Sequence, residues 1–117
     1  MRTQSYTIAQ HFTGRAPAVR LVYDRLLAVT GKLGPVVQDP KKTSIHLNNK
    51  TAFVGVATRK DCLILTLKSV CDIRSARITK HEQTSANRWH LELKLHDPRE
   101  VDAELTRWLE EAYALSA

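Results

Sequence analysis

The sequence has few cysteines, no long apolar run and no leader-like segment. Each of these absences argues against a class of protein. Cys62 and Cys71 are the two cysteines among 117 residues, and their spacing fits no zinc or redox motif. No segment approaches the apolar length of a membrane span, and no apolar stretch follows Arg2 as in a secretory signal. We therefore expect a cytoplasmic protein without membrane association, whose cysteines fill small apolar core positions.

Motifs that mark catalytic sites are also missing. The chain contains no G-x-S-x-G, no Walker A sequence, no G-x-G-x-x-G and no H-E-x-x-H. Asp61 and Asp72 stand at predicted turns, where Asp is common for backbone reasons. The sequence therefore favours a noncatalytic protein that needs no cofactor, and an enzyme is the less favoured alternative.

Basic residues, in contrast, are in excess. Lys and Arg number 18 against 12 Asp and Glu, which gives a net charge of +6 and a pI near 9.6. Such an excess attracts nucleic acid, phosphorylated ligands or anionic lipid surfaces without selecting among them. The charge therefore indicates an anionic partner but does not identify it.

The length and the apolar pattern predict an irregular N-terminal segment, residues 1–13, and a single α+β domain, residues 14–117. Apolar positions at helical spacing predict an amphipathic helix over 18–32, with Pro17 in its first turn and Gly31 at its end. A second helix is predicted after Asp97, which can cap it, and Glu100 stands where it can bond back to the cap.

Five strands are predicted between the two helices, over residues 43–47, 51–58, 62–67, 73–80 and 89–96. The connections are short enough for hairpins, which implies an antiparallel sheet. The predicted fold is a two-layer sandwich in the order α-β-β-β-β-β-α, with both helices on one face of the five-stranded sheet. The other face would then be wet or hold a ligand.

One candidate site lies on that other face. Strand alternation turns five polar residues away from the helices: His46, His90, Glu92, Lys94 and His96. Imidazole and carboxylate suit zinc, iron or nickel, but two of these histidines lie six positions apart on one strand, about 20 Å, so one ion cannot bind both. We predict no metal site. The alternatives are a solvated face and a pocket, which His11 of the N-terminal segment would help to line.

The second candidate site is a set of basic residues: Lys41, Lys42, Arg74, Arg77, Lys80, Arg88 and Lys94. Arg59 and Lys60 add two more in a predicted hairpin turn. These residues form either a solvated surface or an anion-binding surface. Nucleic-acid surfaces usually add exposed aromatics for stacking, and the few aromatics of this chain mostly occupy predicted core positions.

Two stretches carry a resemblance to a known family. Residues 11–17 with 23–26, and residues 102–113, resemble the opening and close of an uncharacterised bacterial family, a domain of unknown function. Some members are labelled predicted transport proteins. The likeness spans roughly residues 8–115 and implies no catalytic residues. The layout is also similar to frataxin-like and double-wing small domains, which include iron-handling and DNA-binding proteins. Frataxin-type iron binding uses an acidic helix face, whereas the first helix here is basic.

The sequence therefore predicts a noncatalytic binding module for an anionic partner, with nucleic acid as the leading hypothesis. One alternative is a protein-interaction module, either a homodimer or an accessory subunit. Another is a small-molecule-binding protein.

Overall fold

A computed structural model describes residues 6–117. Two helices and six strands follow one another, with these bounds: α1 Pro17–Thr30, β1 Val37–Pro40, β2 Ile45–Asn48, β3 Ala52–Thr58, β4 Leu63–Ser69, β5 Ile78–Ser85, β6 Arg88–Leu95 and α2 Ala103–Leu115. Short 3-10 helices occupy Ala9–Phe12 and Pro98–Glu100. Within residues 6–117, no helix is both long and apolar enough to cross a membrane.

The strands form one antiparallel sheet in the order β1-β2-β3-β4-β6-β5. The α+β class and the two flanking helices are confirmed, but the prediction of five strands was wrong because it missed β1. That strand is four residues long, contains Asp39 and Pro40, and lies at the sheet edge, so it shows no apolar alternation. Every neighbouring pair is a hairpin except β4 with β6.

The strand predicted over 73–80 is also displaced, because β5 runs from Ile78 to Ser85 and includes part of the predicted turn. Every residue of β5 after Ile78 is exposed, since this strand forms the second sheet edge. Cys62 is buried as predicted, but Cys71 is exposed in the connection before β5, so its predicted core position was wrong.

Helix α1 begins where the sequence predicted, whereas α2 begins a few residues later than predicted. Pro17 opens α1, where its missing N–H costs nothing. Asp97 and Glu100 form the expected capping box, but the box encloses only a 3-10 turn. Helix α2 begins at Ala103 behind a second cap, in which the Asp102 carboxylate accepts the Leu105 N–H at 3.0 Å.

A single apolar cluster joins both helices to one face of the sheet. Helix α1 contributes Val22, Tyr23 and Leu26, and the strands contribute alternate residues such as Leu65 and Leu93, all at 0% exposure. We call this the covered face. The residues between these positions define the open face, and the candidate sites lie on it and at one end of the sheet.

Candidate functional site

The turns between β1 and β2 and between β3 and β4 lie at the same end of the sheet, because all neighbouring strands are antiparallel. Lys41 and Lys42 occupy the first turn, and Arg59 and Lys60 occupy the second. Arg15, which precedes α1, joins them. We call these five residues the basic end.

Hydrogen bonds from the N-terminal segment hold the basic end together. His11 Nε2 lies 2.8 Å from the Lys41 carbonyl oxygen. The buried Thr58 hydroxyl donates to the His11 carbonyl and accepts from Arg15 Nε at 3.0 Å. The Ala16 N–H donates to the Lys60 carbonyl at 2.7 Å. Three segments distant in sequence are thus fixed side by side.

Positive charge at the basic end is only partly balanced. Lys41 Nζ pairs with Asp39 at 2.9 Å, and Asp61 follows Lys60 in the same turn. Helix α1 also begins here, and no side chain in the described part of the chain caps it. Its first turn has no acidic residue, so the positive end of the helix dipole adds to the field of the side chains.

An acidic connection lies at the same end, beyond β4, where β6 leads into α2. Its carboxylates are engaged locally. Asp97 pairs with Arg99 at 3.0 Å, and Glu100 accepts the backbone N–H groups of His96 at 2.6 Å and Asp97 at 3.0 Å. Leu63 pairs with Leu95, so this connection follows the strand next to β4, and its 3-10 helix contacts α1. The acidic connection is therefore a neighbour of the β3–β4 turn, but its carboxylates already have partners.

The structure brings together only part of the predicted basic set. Lys41 and Lys42 belong to the basic end, but Arg74 and Arg77 lie at the far side of the sheet. Arg74 pairs with Asp72 at 3.5 Å, and Arg77 pairs with Asp102 at 3.0 Å and Glu104 at 3.1 Å.

The strand register places the remaining predicted residues on the open face in three rows. One row crosses the sheet through Asp39, His46, Gly55, Thr66, Glu92 and Lys80. A second contains Ala57, Ile64 and Lys94, and a third contains Lys68, His90 and Glu82. Arg88 precedes His90 with the same strand parity. His96 is exposed just beyond β6, and His11 belongs to the basic end.

A groove of about 330 Å³ runs along β3 on the open face. The small residues Ala52, Gly55 and Ala57 form its floor with Thr66. Longer side chains rise on both sides, His46 from β2 and Lys68 and His90 from β4 and β6. Burial, and secondarily the charge of Arg88, lower the pKa of the Lys68 amine.

Sequence reasoning missed Arg15, Lys68 and Gly55. Arg15 falls within a predicted helix start, Gly55 is one residue of the strand predicted over 51–58, and Lys68 lies just outside the strand predicted over 62–67. A glycine within a strand can, however, mark a close approach of a ligand, and this was the one signal available for the groove.

Two further features of the described part of the chain bear on metal binding and on dimerisation. No three His, Cys, Asp or Glu side chains of residues 6–117 meet in a way that could hold a metal ion. The exposed edge of β5 has register irregularities near both of its ends, a feature that discourages edge-to-edge pairing. The homodimer stays a prediction.

Comparison with known proteins agrees with the family resemblance. Residues 8–116 match the family DUF5655, described as a domain of unknown function. No curated protein and no solved structure matches the chain. The match covers nearly the whole chain, and the protein therefore belongs to the DUF5655 family.

Proposed function

We propose that this protein is a noncatalytic binding module for a polyanion, that nucleic acid is the favoured partner, and that it acts in the cytoplasm. The observation that carries the proposal is the basic end, where hydrogen bonds fix side by side the three segments that carry five cations. Phosphate groups are bound by such clusters because neutralising them releases condensed counterions.

The arrangement of the basic end supports contact with a backbone more than recognition of bases. Its cations stand in turns and at a helix start, and no helix of the described residues projects from it as a major-groove reader does. Among the aromatics near it, Phe12 already packs against Tyr23, with the tilted rings 5.2 Å apart between centroids, and it lies under the Arg20 guanidinium at 5.1 Å. We therefore expect binding that depends on salt more than on sequence.

Fluorescence anisotropy with labelled single-stranded and duplex DNA and RNA tests the proposal. Binding should weaken steeply between about 50 mM and about 200 mM salt. The triple variant Lys42→Gln, Arg59→Gln, Lys60→Gln should bind more weakly, and each lost phosphate contact should lower the salt slope on duplex DNA by about 0.9.

A matched control separates the site from net charge. Arg25→Gln, Lys32→Gln and Arg107→Gln together remove the same charge from exposed positions on α1, in the turn after α1 and on α2, all away from the basic end. This control should keep most of the affinity. If both triple variants lose affinity equally, the basic end is not the site. If the wild-type protein binds no nucleic acid at low salt, that partner is wrong and the protein-interaction module becomes the first hypothesis.

A further inference from the structure

The groove on the open face is separate from the proposed polyanion site. At its centre lies Gly55, a glycine in the interior of a strand. Glycine in a strand interior is destabilising relative to alanine, because it loses more backbone freedom on folding. Gly55 is not among the glycines with positive φ. A Cβ atom built at this position would meet only Thr66 Cβ, at an ordinary 3.9 Å. Neither backbone nor packing requires glycine here, so its effect is to keep the groove deep.

The walls of the groove are polar on both sides and include a fixed cation. Lys68 Nζ donates to Ser116 Oγ at 2.8 Å and approaches Thr51 Oγ1 at 3.4 Å. These two contacts hold the amine beside Thr51 and Ser116, just beyond the start of β3, and the neighbouring His90 offers a ring nitrogen that can donate a hydrogen bond. His46 stands on the opposite wall of the groove. None of the lining residues is acidic.

From this combination we propose that the groove along β3 binds a compact organic carboxylate, whose flat apolar body lies over Gly55 and whose carboxylate meets Lys68 and His90, which are paired across β4 and β6. The volume of about 330 Å³ lies at the lower end of the range for small-molecule sites, so the ligand is about the size of a single ring. The carboxylates on the same face, Asp39, Glu82 and Glu92, stand beside the groove rather than in it, and Glu82 lies directly across from His90.

Amide chemical shifts measured during titration with benzoate test this site directly. Benzoate combines a ring with a carboxylate, and benzyl alcohol and acetate each carry one of the two features. Benzoate should shift the amides of Gly55, Ala57 and Thr66 saturably, with affinity about tenfold above that for either control probe, because only benzoate uses both the floor and the amine. Equal affinity for acetate or benzyl alcohol would overturn the proposal.

Two variants complete the test. Gly55→Val places a branched side chain on the floor without a backbone clash, and it should weaken benzoate binding by at least about tenfold while the spectrum stays that of a folded protein. Lys68→Met keeps a long wall but removes the charge, and it should reduce benzoate affinity to that for benzyl alcohol. Unchanged benzoate binding in both variants would refute the site.

The proposals for the groove and for the basic end can be refuted independently of each other. Gly55→Val should leave nucleic-acid anisotropy unchanged, and the triple variant at Lys42, Arg59 and Lys60 should leave the benzoate titration unchanged. Benzoate shifts centred on the basic end instead of on β3 would also count against the groove.

Discussion

Arg77 Nη1 donates to both carboxylate oxygens of Asp102, at 3.0 Å and 3.2 Å, and so fastens the start of β5 to the first turn of α2. The same guanidinium donates to the Glu100 carbonyl at 2.6 Å and lies 5.8 Å from the ring of Trp108. Arg77, which the sequence placed among the candidate anion-binding residues, therefore makes its hydrogen bonds within the fold.

The first prediction concerns this cation. Arg77→Met should lower the free energy of unfolding by about 1–2 kcal/mol, because it removes several charge-assisted hydrogen bonds at a partly exposed site. Urea unfolding measures the change. Arg107→Met on the exposed side of α2 is the control and should change stability little. Nucleic-acid affinity should fall equally in the two variants, and a larger loss in Arg77→Met would return this residue to the binding surface.

A second prediction follows from the cap of α2. The hydrogen bond from the Leu105 N–H, helped by the Arg77 guanidinium, holds the pKa of the Asp102 carboxyl below its usual range. The folded pKa lies below the unfolded value of about 3.9. The stabilisation is therefore complete at neutral pH and is lost as pH falls through the folded pKa.

Asp102→Asn keeps a capping side chain but cannot ionise. Its deficit in stability relative to the wild type should be largest at neutral pH and should shrink as the solution is acidified below pH about 4. Urea unfolding over a pH series provides the comparison, with Glu110→Gln as an exposed carboxylate control. A deficit that is constant across the series would contradict the assignment.

The third prediction concerns Thr58, whose buried hydroxyl joins the N-terminal segment to the basic end. Thr58→Val preserves shape but removes the hydroxyl that meets the His11 carbonyl and Arg15 Nε. We expect a loss of about 1–3 kcal/mol in unfolding free energy, since polar groups lose partners at a buried position. Faster hydrogen exchange at the Ala16 amide and weaker nucleic-acid binding should accompany it. If exchange at Ala16 is unchanged, the hydroxyl does not anchor the segment.

Tyr23 supplies a prediction at alkaline pH. Burial, opposed by the nearby Arg20 charge, raises the pKa of the Tyr23 phenol to about 12, and its hydroxyl donates to Gln38 Oε1 at 2.7 Å. Because the folded pKa lies above the unfolded value of about 10, the associated stability is complete below that pH and is lost as pH rises through the folded value.

Tyr23→Phe should remove this alkaline loss and should cost about 0.5–1.5 kcal/mol at neutral pH through the missing hydrogen bond. Tyrosinate absorbance should show one group that ionises later than the others in the wild type and is missing in the variant. Tyr113→Phe is the control, and it should leave the late-ionising group in place.

Much of the fold could be predicted from local pattern. Strands such as Leu63–Ser69 and Arg88–Leu95 have one face in the core, so apolar alternation marks them clearly. The edge strands Val37–Pro40 and Ile78–Ser85 bury little and carry almost no such pattern, and one was missed while the other was displaced. Strand order was not predictable for a related reason, since β6 rather than β5 pairs with β4 and no turn sequence encodes this.

The candidate sites required three-dimensional information. Lys42 and Arg59 are both visible in sequence as turn cations, but only antiparallel registration through β2 and β3 places their turns at one end. The partners of Arg77 lie 25 and 27 positions away along the chain, so an internal ion pair could not be told from a free cation. The groove exists because side chains from β2, β4 and β6 rise around Gly55. The periodicity of the sequence does not show that these strands are neighbours.

The path of the chain also determines where a dye, fusion partner or surface tether would stand relative to the basic end. The described part of its N-terminal segment, residues 6–13, lies against the basic end, where His11 contacts the Lys41 carbonyl. Its last residues dock at the opposite end, where the Ser116 carbonyl accepts from Lys50 and Thr51 at 2.9 Å and 3.2 Å. A fusion partner, dye or surface tether on the carboxyl side would thus stand about 20 Å, the length of β3, from the basic end. A dye attached instead at the exposed Thr7, four residues before His11, would stand close to the basic end, so assays with the two attachment points should give different affinities.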